Sequence, residues 1–142
     1  MCIRDRIKII NHQIDNSRIF VNDYLNFELV WNTGIGFGLA SMDAGIYYHI
    51  LTLIIIIVNI ALILFLRKSK GLYSYLIAMI IGGSLGNLFD RLYYYAVPDF
   101  IDLHFGNYHW FVFNVADIFI TFGIIGLLFI EIFKKEKISD NA

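Results

Sequence analysis

Three runs of about twenty apolar residues constrain this 142-residue chain more than any other feature. The first covers residues 47–66, the second 72–89 and the third about 111–133. Coiled as helices, such runs match the ~30 Å hydrocarbon thickness of a bilayer. Inside lipid a backbone must satisfy its own hydrogen bonds, so each run is expected as a membrane-crossing helix. Composition agrees, with 58% hydrophobic and 16% charged residues, more apolar surface than a soluble domain of this size buries. The single proline suits long uninterrupted helices. A net charge of −1 offers no basic field for nucleic acid, and the lone Cys2 excludes an internal disulfide framework and a multi-cysteine metal site.

Flanking charge sets the orientation. Arg67, Lys68 and Lys70 separate the first two runs, and Lys134, Lys135 and Lys137 follow the third. Both places are expected on the cytoplasmic side, so the helices run inward, outward and inward. Residues 91–110 and the segment before Tyr47 then lie outside. No apolar run carries that N-terminal segment across, and residues 1–6 do not supply one. A further helix is therefore expected ahead of it, and the chain reads as N-terminally incomplete. In the external segment Leu25, Phe27, Leu29 and Trp31 alternate with Asn26, Glu28, Val30 and Asn32, the period of a strand. Ile19, Phe20 and Val21 precede it across the turn-type pair Asn22-Asp23. The expected fold is one domain over residues 1–142, an all-α membrane bundle with a small external sheet.

Two carboxylates stand out against this apolar background, Asp99 in Pro98-Asp99-Phe100 and Asp117 in Asn114-Val115-Ala116-Asp117. An ionised carboxylate costs roughly 2.5–3.5 kcal/mol at the centre of a membrane helix, and less near the interface. Asp117 lies seventeen residues before Lys134, about 25 Å at the helical rise, and Asp90 lies twenty after Lys70, about 30 Å. Asp99, Asp117, Asn32, Asn87 and Asn114 thus fall at one outer membrane level. Two carboxylates sharing a site cannot both ionise easily, so one serves as acid and the other as base. Such a pair can activate water against a peptide bond. Taken alone, Asp117 is equally explained as a charge complementing a helix N-terminus.

Other residues have plainer readings. Gly82 and Gly86 form a small-xxx-small pair suited to helix packing. The Asp90-Arg91 pair is expected to cap the second helix and tie down the loop after it. The loop over residues 93–110 carries Tyr93, Tyr94, Tyr95, Phe100, Phe105, Tyr108 and Trp110, an aromatic belt at headgroup level. Asp102 is expected in solvent, pointing away from the pair. His104 and His109 lack a spacing such as H-E-x-x-H, so no metal site is expected.

Four blocks together resemble the signature of the prolipoprotein signal peptidase (signal peptidase II) family. Asn32-Thr33-Gly34-Ile35-Gly36-Phe37-Gly38 is similar to its N-T-G-x-x-F-G block. Gly82-Gly83-Ser84-Leu85-Gly86-Asn87-Leu88-Phe89-Asp90-Arg91 resembles G-G-x-x-G-N-x-x-D-R. Pro98-Asp99-Phe100 resembles V-D-F, with Pro98 a departure, and Phe113-Asn114-Val115-Ala116-Asp117 resembles F-N-x-A-D. The family's D-x-x-x-K block on a first helix has no counterpart in this sequence. The resemblance implies a four-helix membrane fold with a small external β-cradle. It also implies a cofactor-free, metal-independent aspartyl endopeptidase in the bacterial plasma (inner) membrane, with its site near the outer face. The substrate implied is a prolipoprotein whose future N-terminal Cys carries diacylglycerol, met in membrane lipid by a monomeric enzyme. By the same resemblance Asp99 and Asp117 are catalytic, and Asn32, Gly34, Gly83, Asn87, Asp90, Arg91 and Asn114 line or support the site.

Two other classes compete. A small transporter or assembly subunit would use the aspartates as proton or cation sites, and predicts carboxylates spread through the membrane depth. A presenilin-type protease wants G-x-G-D on a helix, where this chain has Gly34-Ile35-Gly36-Phe37.

Overall fold

The computed structural model describes residues 18–34, 46–106 and 108–139. In chain order these form β1 (Ile19–Asn22), β2 (Leu25–Asn32), α1 (Ile46–Leu66), α2 (Leu72–Tyr94), β3 (Val97–Phe105), β4 (Tyr108–Phe113) and α3 (Val115–Ser139). The strands make one antiparallel sheet in the order β1-β2-β3-β4. Two hairpins supply it, and α1 and α2 are inserted between them.

Three stretches are long and apolar enough to cross a membrane, Tyr48–Leu66, Leu72–Tyr94 and Val115–Phe133. Their surfaces are largely exposed hydrocarbon, including Leu53, Ile57, Phe65, Phe122 and Phe129, as a lipid-facing bundle requires. The helices therefore match the three apolar runs, and the sheet stands beside them. The further helix expected ahead of the sheet would precede this sequence, and residues 1–17 lie outside the described residues.

α2 is the middle helix and packs against both others. Against α3 the backbones meet closely. A Cβ on Gly83 would strike the Ala116 carbonyl and come within 2.9 Å of Ile120, and one on Gly126 would lie 2.7 Å from Leu76. Gly82 faces open space and Gly86 makes only ordinary contact with Ala116. The close approach thus belongs to Gly83 on α2 and to Gly123 and Gly126 on α3, where a Cβ on Gly123 would strike Ile80 and the Leu76 carbonyl, and not to the Gly82/Gly86 pair. Against α1 the ties are polar: Asn59 Nδ2 donates to Ser84 Oγ at 2.7 Å, and the Tyr48 hydroxyl donates to the Arg91 carbonyl. Near the other end, the Tyr73 hydroxyl on α2 donates to Glu131 on α3 at 2.6 Å, giving that carboxylate a partner.

Residues expected as a loop are largely strand. α2 runs on to Tyr94 and ends where Tyr95 turns left-handed (φ 59°), donating its N–H to Arg91. β3 and β4 then occupy most of the span to Phe113, so α3 starts at Val115 instead of Phe111. Asp99 consequently comes from a strand.

Two bulges decide what each sheet face carries. In β2 the residues Phe27 and Val30 pair with Ile101 and Asp99, one extra residue on β2. Asn26 and Asn32 would otherwise share a face. The bulge sends Asn26 to the Asp102 face and Asn32 to the Asp99 face. In β4 Trp110 is the extra residue, so His109 pairs with His104. β2 is a strand, as its alternation suggests, but the bulge interrupts the period of two; its buried members are the polar Asn26 and Asn32, while Phe27 and Trp31 are exposed.

Candidate active site

α3 begins with a reciprocal cap. Asn114 Oδ1 accepts from the backbone N–H of Ala116 (2.8 Å) and of Asp117 (3.2 Å). Asp117 Oδ2 in turn accepts from the Asn114 backbone N–H at 3.1 Å. This is the capping-box pattern, with Asp in the place usually held by Glu or Gln. It satisfies N–H groups that a helix start leaves without partners.

The cap also reaches the second carboxylate. With Asn114 Oδ1 committed to the helix, its Nδ2 points away and donates to Asp99 Oδ1 at 2.7 Å. Asn32 repeats the arrangement from β2: its Oδ1 accepts from Gly34 N–H at 2.9 Å, and its Nδ2 donates to Asp99 Oδ2 at 3.0 Å. Both amides are thereby fixed with donors facing Asp99, a setting that selects a carboxylate. Asp117 Oδ1 takes the Asn87 amide of α2 at 2.8 Å. Four N–H donors from β2, α2 and the β4–α3 corner thus hold two carboxylates.

Asp99 is 2% exposed. Burial pushes its carboxyl up from 3.8 to about 6. The Asn32 and Asn114 amides oppose that rise, the Asp117 charge adds to it and the Arg91 charge opposes it. The Arg91 guanidinium lies 5.7 Å from the centre of the Tyr48 ring, and its Nη2 donates to the Gly34 carbonyl at 2.7 Å. Arg91 therefore secures the turn after β2 that keeps Asn32 in place.

Asp99 and Asp117 line one cavity of about 320 Å³ with Asn32, Asn87, Arg91 and Ser84. Its other walls are apolar, among them Leu51 and Ile55 of α1 and Ile120 and Ile124 of α3. In two of its lining residues, Asn87 Oδ1 and Arg91 Nε and Nη1 are buried without hydrogen-bond partners among the described residues. These are one acceptor and two donors beside the carboxylates. Two acids, a polar rim and an apolar wall can hold an extended peptide and activate water.

The structure thus brings Asp99, Asp117, Asn32, Asn87, Arg91 and Asn114 together. Gly34 joins them through its backbone. Gly83 does not line this cavity; it sits under Asp117's helix and lets α2 and α3 touch. Asp90 neither lines the cavity nor caps α2. It is buried, with Oδ1 lacking a partner among the described residues. Asp102 is the clear correction: it is 1% exposed, not solvated. It accepts from Asn26 Nδ2 at 3.3 Å and meets His109 Nδ1 at 2.9 Å, on the face opposite Asp99. Residues 35–38 of the first signature block lie outside the described residues. The reading missed Ser84, Leu51 and Ile55; their exposure to the cavity depends on how α1 meets α2, for which the sequence carries no local signal.

A family model described as signal peptidase (SPase) II matches residues 3–134. A lipoprotein signal peptidase of Pelagibacter ubique is 49% identical over 119 residues, covering 84% of this chain and 72% of that protein. One of Anaplasma phagocytophilum is 41% identical over 125 residues, covering 85% and 78%. Among solved structures, a bacterial membrane enzyme determined by the in meso method at 2.3 Å superposes with a TM-score of 0.76. It is 30% identical, and the match covers 94% of this chain and 81% of that one.

Proposed function

The chain belongs to the signal peptidase II family and is a membrane peptidase that removes signal peptides from prolipoproteins, and we propose that Asp99 and Asp117 are its acid and base. The observation that carries this reading is Asn114, whose side chain holds Asp99 while its backbone N–H holds Asp117. One residue thereby sets the two carboxylates against a common cavity.

In the mechanism, one carboxylate takes a proton from a water between the pair. The other, protonated, donates to the scissile carbonyl oxygen as the tetrahedral centre forms. The proton taken from water then passes to the leaving nitrogen as the C–N bond breaks, and the carbonyl re-forms by returning its hydroxyl proton to the other carboxylate, so the pair again holds one shared proton. Each well-placed transfer contributes about 10²–10⁴-fold. The buried Asp99, raised to about 6, is the member suited to carry the shared proton near neutrality, although the pair titrates as a unit. Asn87 Oδ1 and Arg91 Nε and Nη1 are buried and lack partners among the described residues, so a side-chain shift on substrate entry would offer them to an extended backbone. The apolar wall from Leu51 to Ile124 receives signal-peptide side chains, and a diacylglyceryl Cys would enter from surrounding lipid. The positive loop 67–70 at the other end of α2 supports a site near the outer face of the bacterial plasma membrane. Ion-carrying aspartates, the reading of a transporter, are not favoured by the family match.

The test is cleavage of a diacylglyceryl-modified precursor by purified protein. Asp99→Asn and Asp117→Asn should each lower the rate by roughly 10³-fold or more while the protein still melts cooperatively. The double substitution should be scarcely worse, because the two act as a unit. Substantial cleavage by either single variant would sink the paired-aspartate reading.

A further inference from the structure

The opposite face of the sheet carries a second cluster. Asp102, His104 and His109 present ligand atoms that all lie within 4.8 Å of one another. We propose that they form a site for a divalent transition-metal ion of the zinc type, separate from the carboxylate pair. The site is assembled by register. Asp102 and His104 are two apart on β3 and share a face, and the Trp110 bulge sets His109 opposite His104. The two imidazoles stack with centroids 5.3 Å apart.

The three donor atoms, all within 4.8 Å of one another, would draw in on a small tetrahedral ion. Bonds of about 2.0–2.1 Å give ligand–ligand edges of about 3.4 Å. His109 Nδ1 lies 2.9 Å from Asp102 Oδ2, and the Asn26 amide nitrogen lies 3.3 Å from both Asp102 Oδ2 and His104 Nδ1. Asn26 is buried at 3% exposure, and its Oδ1 has no partner among the described residues. Turning that amide over places Oδ1 at the same 3.3 Å vertices, as a fourth ligand or as the acceptor for a metal-bound water. Two imidazoles and one carboxylate suit zinc over calcium or magnesium, which prefer oxygen alone. Arg18 is the cation nearby. Its Nη1 lies 3.1 Å from His109 Nε2, and it is ion-paired to Glu28 at 2.7 Å. Metal on Nδ1 leaves the proton on Nε2, so Arg18 gives up His109 and keeps Glu28. Its Nε lies 4.0 Å from Asp102 Oδ2, outside hydrogen-bond range. Occupied, the site would pin β4 to β3, the strand that carries Asp99 three residues earlier.

The experiment is equilibrium dialysis of the detergent-purified chain against zinc chloride at micromolar concentration, with the melting temperature as a second readout. One zinc should be retained per chain and should raise the melting temperature. His104→Ala and His109→Ala should each lose the ion and that rise, and Asn26→Ala should weaken binding by about tenfold. Asp99→Asn and His49→Ala should keep both, which separates this site from the peptidase reading. Cobalt in the unaltered chain should show the absorption of a tetrahedral centre, so the conclusion does not rest on variants folding. No retained zinc, an octahedral cobalt spectrum, or unchanged affinity in a folded His104→Ala protein would overturn the proposal.

Discussion

At Asn114 a single side chain starts α3 with its oxygen and holds Asp99 with its nitrogen. Neither amide atom can be exchanged for the other, because the helix N–H groups need the acceptor. The same logic at Asn32 leaves Asp99 facing two donors, and a carboxylate is the group that answers both. Its burial has a measurable consequence. The folded state holds the Asp99 proton up to about pH 6, whereas the unfolded chain releases it near 3.8. Stability from this group is therefore fully present below about pH 4 and is lost as pH rises through about 6. The melting temperature of the unaltered protein should fall over that window more steeply than that of Asp99→Asn. Parallel profiles would remove the buried-carboxyl account. The sequence revealed Asp99 and Asp117 because charge is conspicuous in apolar surroundings. It hid the state of Asp102, whose burial depends on which residues the two bulges turn towards it.

The elements were legible to different degrees, and for physical reasons. α1, α2 and α3 follow from twenty-residue apolar runs, which have one solution in lipid. β2 follows from its alternation. β3 and the first half of β4 read as a loop, and residues 111–113 as the start of the third apolar run, because aromatic residues there also suit a membrane interface and because β3 pairs with a strand two helices earlier in the chain. Such pairing leaves no local trace. Helix contacts are half legible: glycine is expected between helices at Gly82 and Gly86, but the close positions are Gly83, Gly123 and Gly126, and of these Gly83 lies against the first turns of α3. Gly83→Ala would push Ala116 and Ile120 away and shift the first turn of α3, which carries Asp117. A loss of about 1–3 kcal/mol is expected, together with reduced cleavage. Gly82→Ala meets nothing within 4 Å and should be neutral in both assays. Equal behaviour of the two variants would show that the α2–α3 approach does not position the site.

At the scale of the molecule, the three spans and the sheet of the described residues give a sided object. The positive loop 67–70 and the sheet lie at opposite ends of α2. A cysteine introduced at Lys68 should react with an impermeant thiol reagent only from the cytoplasmic side, and one at Gly106 only from outside, in a Cys2→Ser background. The reverse pattern would place the carboxylate pair on the wrong face for a substrate already carried across the membrane. The capping box then bears on how such an enzyme is made. The corner at Asn114 joins the end of β4 to the start of α3, and the same corner holds both Asp99 and Asp117. If these carboxylates are the acid and base proposed above, a chain whose α3 has not yet entered the bilayer carries both but lacks their alignment, and should leave uncut the precursors that share its insertion route. Hydrolytic competence would then arrive with α3, as a by-product of folding, with no separate inhibitor needed to guard the membrane until then.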